Sequence, residues 1–112
     1  MKFTQSLKKN KDFQQVYKKG KSFANKYLVM YVLKNDLEEN RLGISISKKV
    51  GKSVQRNRLS RLIRESYRSL EDNYPKGLDI VIVVRINSRD IGYKEVESAL
   101  THLGKLHGIS VK

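Results

Sequence analysis

The segment Leu78–Val84 restricts the possible folds more than any other stretch of the chain. It reads Leu-Asp-Ile-Val-Ile-Val-Val, apolar almost throughout and rich in β-branched side chains. That pattern predicts a strand buried on both faces. Upstream, Asn10 can cap a helix running to about Lys19, with Gly20 as its stop. Phe13, Val16 and Tyr17 form one stripe of this helix, while Lys11, Lys18 and Lys19 fall elsewhere. Tyr27–Leu33 reads as a strand, and residues 35–40 as a polar, acidic turn. Leu42–Ser47 alternates, with Leu42, Ile44 and Ile46 on one face and Gly43, Ser45 and Ser47 on the other. These two strands are expected to pair as a hairpin. Ser53 can cap a long helix reaching about Asn73, closed by Pro75 and Gly77. Asp90 is expected to open a last helix, with Val96, Leu100, Leu103 and His107 on its stripe, assisted by Ala99 and Leu106. The order α-β-β-α-β-α, with a further short strand near Ser22, places helices against one sheet. A chain of 112 residues without repeat or linker is read as a single domain, residues 1–112, with a core that needs no staples.

Charge narrows the function. There are 24 Lys and Arg against 11 Asp and Glu, a net charge of +13. Lys2–Lys26 and Lys48–Arg68 carry +7 each, whereas Leu28–Ser47 carries −1 and Ser69–Lys112 is neutral. A solubility surface mixes the signs. Concentrated charge points to a polyanionic partner, either nucleic acid or an anionic membrane surface. It argues against an acidic-cleft enzyme for cationic substrates. The absence of cysteine excludes disulfides, thiolate catalysis and Cys-based zinc sites. His102 and His107 do not share a helix face as a metal pair would need, and no His/Asp/Glu cluster has nuclease spacing. No catalytic residue and no metal ligand is therefore assigned. The apolar stretches fall far short of the roughly 20 residues that cross a bilayer, and the N-terminus lacks a signal-peptide run. A soluble, cytoplasmic protein is expected.

The long second helix sorts its residues sharply. At roughly 100° per residue, Leu59, Leu62, Ile63 and Leu70 share a core face. Asn57, Arg61, Arg64 and Arg68 form a ridge opposite, with Arg56 and Arg58 on the borders. A charged solvent face is ordinary for an amphipathic helix. This ridge, however, uses arginine in place of a Lys/Glu mixture, and only Arg61 and Glu65 are spaced as an opposite-charge i,i+4 pair. Lys48, Lys49 and Lys52 add charge just before the helix, whose N-terminus attracts phosphate. Arginine forks suit phosphate oxygens and stack on bases, so the ridge reads as a nucleic-acid surface. Phe13, Tyr17 and Tyr31 stay open between core packing and an aromatic platform.

The segment KKVGKSVQRNRLSRLIRE, residues 48–65, closely resembles the signature of the protein subunit of bacterial ribonuclease P. In that family an Arg-Asn-Arg core, here Arg56, Asn57 and Arg58, follows a Lys-Lys-Val-Gly loop, here Lys48–Gly51, and leads into a basic helix. The likeness extends to Leu7–Lys9, to the Asp12–Tyr17 helix, to Gly20 and to the strand containing Tyr31. It departs at Ser60, where the family usually has lysine, and at Leu62, where some members have a further arginine. No role is therefore given to a cation at position 60.

The resemblance implies an α+β fold, a two-layer α/β sandwich of about four strands and three helices. It also implies a left-handed β-α-β crossover, against the usual right-handed rule. The implied activity is magnesium-dependent removal of the 5′ leader of precursor tRNA, with the chemistry on the RNA subunit. The protein would bind no cofactor by itself and would lower the holoenzyme's Mg2+ requirement. Two faces follow. Lys48, Lys49, Lys52, Arg56, Asn57, Arg58, Arg61, Arg64 and Arg68 would contact the catalytic RNA. A cleft between the first helix and the sheet, carrying Phe13, Tyr17 and Tyr31, would take the single-stranded leader, with Lys11 and Lys18 holding its phosphates. The implied partners are the ribonuclease P RNA and precursor tRNA, with no DNA and no membrane.

Other classes fit the sequence less well. A structural, ribosomal-type RNA-binding protein would share the charge and size, but would not stimulate precursor cleavage. Strands precede the basic helix, so the helix-turn-helix context of a DNA reader is missing. A membrane-surface helix would need the apolar face that the core uses, and this one lacks Trp. An independent protein nuclease lacks the residues for the chemistry.

Overall fold

The computed structural model describes residues 4–110. Lys2, counted in the first basic segment, lies outside them. The elements run β1 (Thr4–Ser6), α1 (Asn10–Lys19), β2 (Lys21–Ala24), β3 (Leu28–Lys34), β4 (Asn40–Ser45), α2 (Ser53–Leu70), β5 (Leu78–Val84) and α3 (Tyr93–Leu106). Single 3-10 turns, Glu71–Asn73 and Ile86–Ser88, follow α2 and β5.

The apolar strand β5 takes the centre of the sheet, whose order is β1-β4-β5-β3-β2. β3 pairs with it antiparallel and β4 parallel. The hairpin expected between β3 and β4 does not form, because β5 lies between them. A strand apolar on both faces gains most from neighbours on both sides and from cover above and below. The 35–39 turn steps over the start of β5, where the Asn35 N–H donates to the Gly77 carbonyl at 2.9 Å. The hairpin that does form joins β2 to β3, and β2 is the short strand expected near Ser22. β1 pairs parallel to β4 and raises the sheet from about four strands to five. Its three residues, Thr-Gln-Ser, offer no apolar alternation to read.

The α+β class is as expected, with helices on both sides of the sheet. α2 and α3 cover one face, where Leu28, Met30, Ile80 and Ile82 meet Leu59, Ile63, Leu100 and Leu103. α1 covers part of the other, where Leu7, Val16 and Val81 are buried. The parallel pair β4–β5, joined through α2, is the β-α-β unit to which the resemblance assigns the left-handed crossover. On α2, Leu59 and Ile63 are fully buried while Leu62 and Leu70 are half-buried. Tyr67, not singled out by periodicity, is fully buried, and its hydroxyl bonds Thr4 Oγ1 at 2.9 Å, tying β1 to α2.

The helix ends differ in detail from expectation. Lys9 and Lys52, not Asn10 and Ser53, hold the N-cap positions. Gln55 Oε1 accepts the Lys52 N–H at 2.8 Å, which satisfies one donor of the first turn of α2. α3 opens at Tyr93, not Asp90. There the Glu95 carboxylate accepts the Gly92 N–H at 3.0 Å, and Ile91 is drawn into the core. Gly20 ends α1 in extended backbone, so its glycine is not needed for a left-handed turn. The need is steric: a Cβ there would lie 2.5 Å from the Val16 carbonyl oxygen. Leu106 is off the buried stripe at 42% exposure.

Candidate nucleic-acid interface

The first surface is α2 with the loop before it. Val50 is buried and anchors that loop, while Lys48, Lys49 and Lys52 around it are exposed. Ser47 shapes the turn by accepting the Lys49 N–H on its hydroxyl at 3.1 Å and the Val50 N–H on its carbonyl at 3.0 Å. Asn57, Arg61 and Arg68 are exposed and Arg64 is half-buried, so the ridge faces outward because Leu59 and Ile63 face in. Arg61 and Glu65, the expected i,i+4 pair, do not form an ion pair among the described residues. That leaves the Arg61 guanidinium free for an external anion.

The two border arginines are partly engaged. Arg58 donates to the Ile91 carbonyl at 2.8 Å, locking the start of α2 to the turn before α3. Arg56 donates to Ser53 Oγ at 3.2 Å, and its Nε is buried without a partner. Arg56, Lys48, Lys52 and Arg89 line a concavity of about 450 Å³ beside the N-terminus of α2. Arg89 was missed by sequence reasoning. It sits in the charge-neutral third of the chain, and only the fold brings it over Gly51, where a Cβ would lie 3.2 Å from Arg89 Cδ. This surface can bind phosphates through guanidinium forks, ammonium groups and the positive end of the helix.

The second surface lies across the sheet, under α1. Val16 is the fully buried residue of the α1 stripe. Phe13 and Tyr17 flank it and are half-buried, as is Tyr31 on β3. The Phe13 and Tyr17 rings lie 6.3 Å apart, and Tyr17 meets Tyr31 edge-on at 5.0 Å. Each ring is therefore partly packed on the small cluster and partly open to solvent. Gly43 makes room for this strip, since a Cβ there would sit 2.6 Å from Phe13 Cζ. Lys11 and Lys18 are exposed on α1 and lie off the aromatic stripe, as their spacing predicts. They line a shallow concavity with Asn10, Gln14 and Gln15 on the outer side of α1, away from the ring strip. Helical geometry explains it, because positions 11 and 18 lie nearly opposite position 13.

A partly buried polar network, anchored on the buried Asp79, supports this surface. Arg41 makes a two-pronged bond to Asp79, and its remaining nitrogen reaches Asp12 on α1 at 3.6 Å. The hydrogen bond to Asp79 holds the Arg41 pKa above its ordinary value. Of the histidines, His107 is part of the packing and His102 is exposed. His102 lies 3.3 Å from the Asn25 amide nitrogen, and His107 Nε2 lies 2.8 Å from the Met30 carbonyl with its ring edge-on to Phe23. Among the described residues no three His, Asp or Glu side chains are grouped so as to hold a metal ion.

These features define a class: a small basic α+β domain with an arginine ridge on one side of its sheet and an aromatic strip on the other. Residues 1–107 match the family described as Ribonuclease P. The chain is 63% identical over 106 residues to the ribonuclease P protein component of Lachnoclostridium phytofermentans, covering 95% of this chain and 91% of that one. It superposes on the Staphylococcus aureus RNase P protein with a TM-score of 0.87 and 37% identity, over 94% of this chain and 96% of that one. The RNase P protein from Thermotoga maritima gives a TM-score of 0.81 and 35% identity, over 88% and 94% of the two chains. The chain belongs to the bacterial ribonuclease P protein family, and it serves as a ribonuclease P subunit.

Proposed function

We propose that this subunit binds two RNAs at once: the ribonuclease P RNA through α2 and its leading loop, and the 5′ leader of precursor tRNA through the strip under α1. The observation that carries the reading is the position of the two surfaces on opposite sides of the sheet. Neither occludes the other. On the first, Lys48, Lys49, Lys52, Asn57, Arg61, Arg64 and Arg68 present cations and an amide outward, while Arg56 and Arg58 also brace the helix. On the second, Phe13, Tyr17 and Tyr31 offer stacking that is indifferent to base identity. Such tolerance suits a protein that meets many leaders. Lys11 and Lys18 then serve strand phosphates that pass over α1, not ones within the strip.

Hydrolysis of the phosphodiester is assigned to the RNA subunit. Magnesium, which serves such chemistry by activating water and stabilising the leaving oxygen, is assigned to the RNA in this reading. A cytoplasmic site of action accompanies this reading. No helix among the described residues is long and apolar enough to cross a membrane. The test is precursor tRNA cleavage by a cognate ribonuclease P RNA at low magnesium, with and without the protein. Cleavage that needs both components is expected. Tight RNA binding without any stimulation would overturn the assignment.

A further inference from the structure

Among the described residues, Arg41 is ion-paired both to the sheet and to α1. Its Nε donates to Asp79 Oδ1 at 2.8 Å and its Nη2 to Asp79 Oδ2 at 2.6 Å. Asp79 is buried on β5, directly across from Arg41 on β4. It also accepts a 2.8 Å bond from Asn35 Nδ2. The guanidinium is thereby fixed in its plane by a fork with a buried carboxylate. Its third nitrogen, Nη1, faces Asp12 Oδ2 on the first turn of α1 at 3.6 Å.

The place of that contact matters. Asp12 directly precedes Phe13, whose ring lies on Gly43, two residues along β4 from Arg41 and on the same face. Below α1 the apolar support is small: Leu7, Val16 and Val81 are its buried members. Rolling or sliding of the helix is resisted by few buried side chains, so a charge mounted on the sheet has leverage over where the rings stand.

We propose that Arg41 is a positioning residue, which holds Asp12 and thereby sets Phe13 and Tyr17 over the sheet at the spacing that admits an unpaired RNA leader. This rests on the leader reading above. Arg41 does its work from the sheet side, and the leader meets the rings rather than the guanidinium.

Replacing Arg41 itself would strand a buried carboxylate, so a substitution there tests folding. The informative variants are Asp12→Asn, which keeps the shape and removes the charge, and Asp12→Glu, which restores it. The assay uses holoenzyme reconstituted with a cognate ribonuclease P RNA. Affinity is measured for a precursor tRNA with its leader and for the same tRNA without it, alongside affinity for the RNA subunit. Asp12→Asn should weaken the leader-bearing precursor about twofold to fivefold, the range of a partly exposed ion pair. Mature tRNA and the RNA subunit should bind as before, and Asp12→Glu should recover most of the loss. The ring-proton resonances of Phe13 and Tyr17 should shift in Asp12→Asn while those of Tyr67 stay. Tyr17→Ala, run in parallel, separates the two levels. A loss there with none in Asp12→Asn overturns the positioning role alone, whereas no loss in either overturns the leader reading and the role with it. Tighter leader binding by Asp12→Asn would make Arg41 a phosphate ligand masked by Asp12, and would also overturn it. Weaker binding with unmoved ring resonances would do the same.

Discussion

Among the described residues, α2 and α3 enclose eighteen buried residues against one face of the sheet; against the other, α1 encloses three and leaves five apolar or aromatic side chains half-buried. The strands between them are shared, and their period of two delivers apolar side chains to both faces. What differs is the cover. Two helices close the first face, and one helix crosses only part of the second. Stability is concentrated on the closed side, and the open side keeps rings ordered without hiding them. The two proposed RNA surfaces follow the same division: the ridge is the outer side of a helix whose inner side is core, whereas the strip is the unfinished core itself.

The largest effect should come from the closed face. Ile63→Ala, at a fully buried position, should lower stability by about 2–5 kcal/mol in denaturant unfolding, and both RNA affinities should fall together through loss of fold. Tyr17→Ala should instead weaken the leader-bearing precursor by about 1–3 kcal/mol, with mature tRNA binding unchanged. If that variant unfolds as Ile63→Ala does, the contrast between the faces disappears. Arg61→Ala should weaken the ribonuclease P RNA complex, and its salt dependence should drop by about one unit of slope, with little change for a leader oligonucleotide. Equal losses on both ligands would merge the two surfaces into one. The smallest effect lies at the edge of the closed face. Burial lowers the His107 pKa below its ordinary 6.5, so the unfolded chain takes up that proton first. Its contribution to stability is then complete above about pH 6.5 and is lost as pH falls through the lower folded value. His107→Gln should flatten the acid side of a stability-against-pH curve, and an unchanged slope would remove His107 from that role.

Much of the closed face was legible because its signals are local. The apolar run of β5, the alternation of β4 and the two-sided α2 each lie within one element. The partner of a strand is not a local property, and so β3 and β4 were joined as neighbours in sequence when β5 separates them in space. β1 was missed because three polar residues carry no period. On the open face, the stripe Phe13, Val16 and Tyr17 was readable, but only the structure shows that the middle residue is buried and its flanks are not. Arg41, Asp12 and Asp79 stand far apart in the chain, as do Arg56 and Arg89. Charge counted by segment placed Arg41 in an acidic stretch and Arg89 in a neutral one, so neither carried a signal.

The central position of β5 also orders events in time. β5 is the last strand to leave the ribosome, yet β3 and β4 both depend on it. Before it emerges, the only native strand pairs the chain can form are β2 with β3 and β1 with β4, each with an unpaired edge where β5 belongs. Two-stranded ribbons are marginal in water, and exposed edges invite pairing with the wrong chain. Until residues 78–84 are available, β3 and β4 lack their shared partner and the helices lack the central strand that both faces of the sheet are built on.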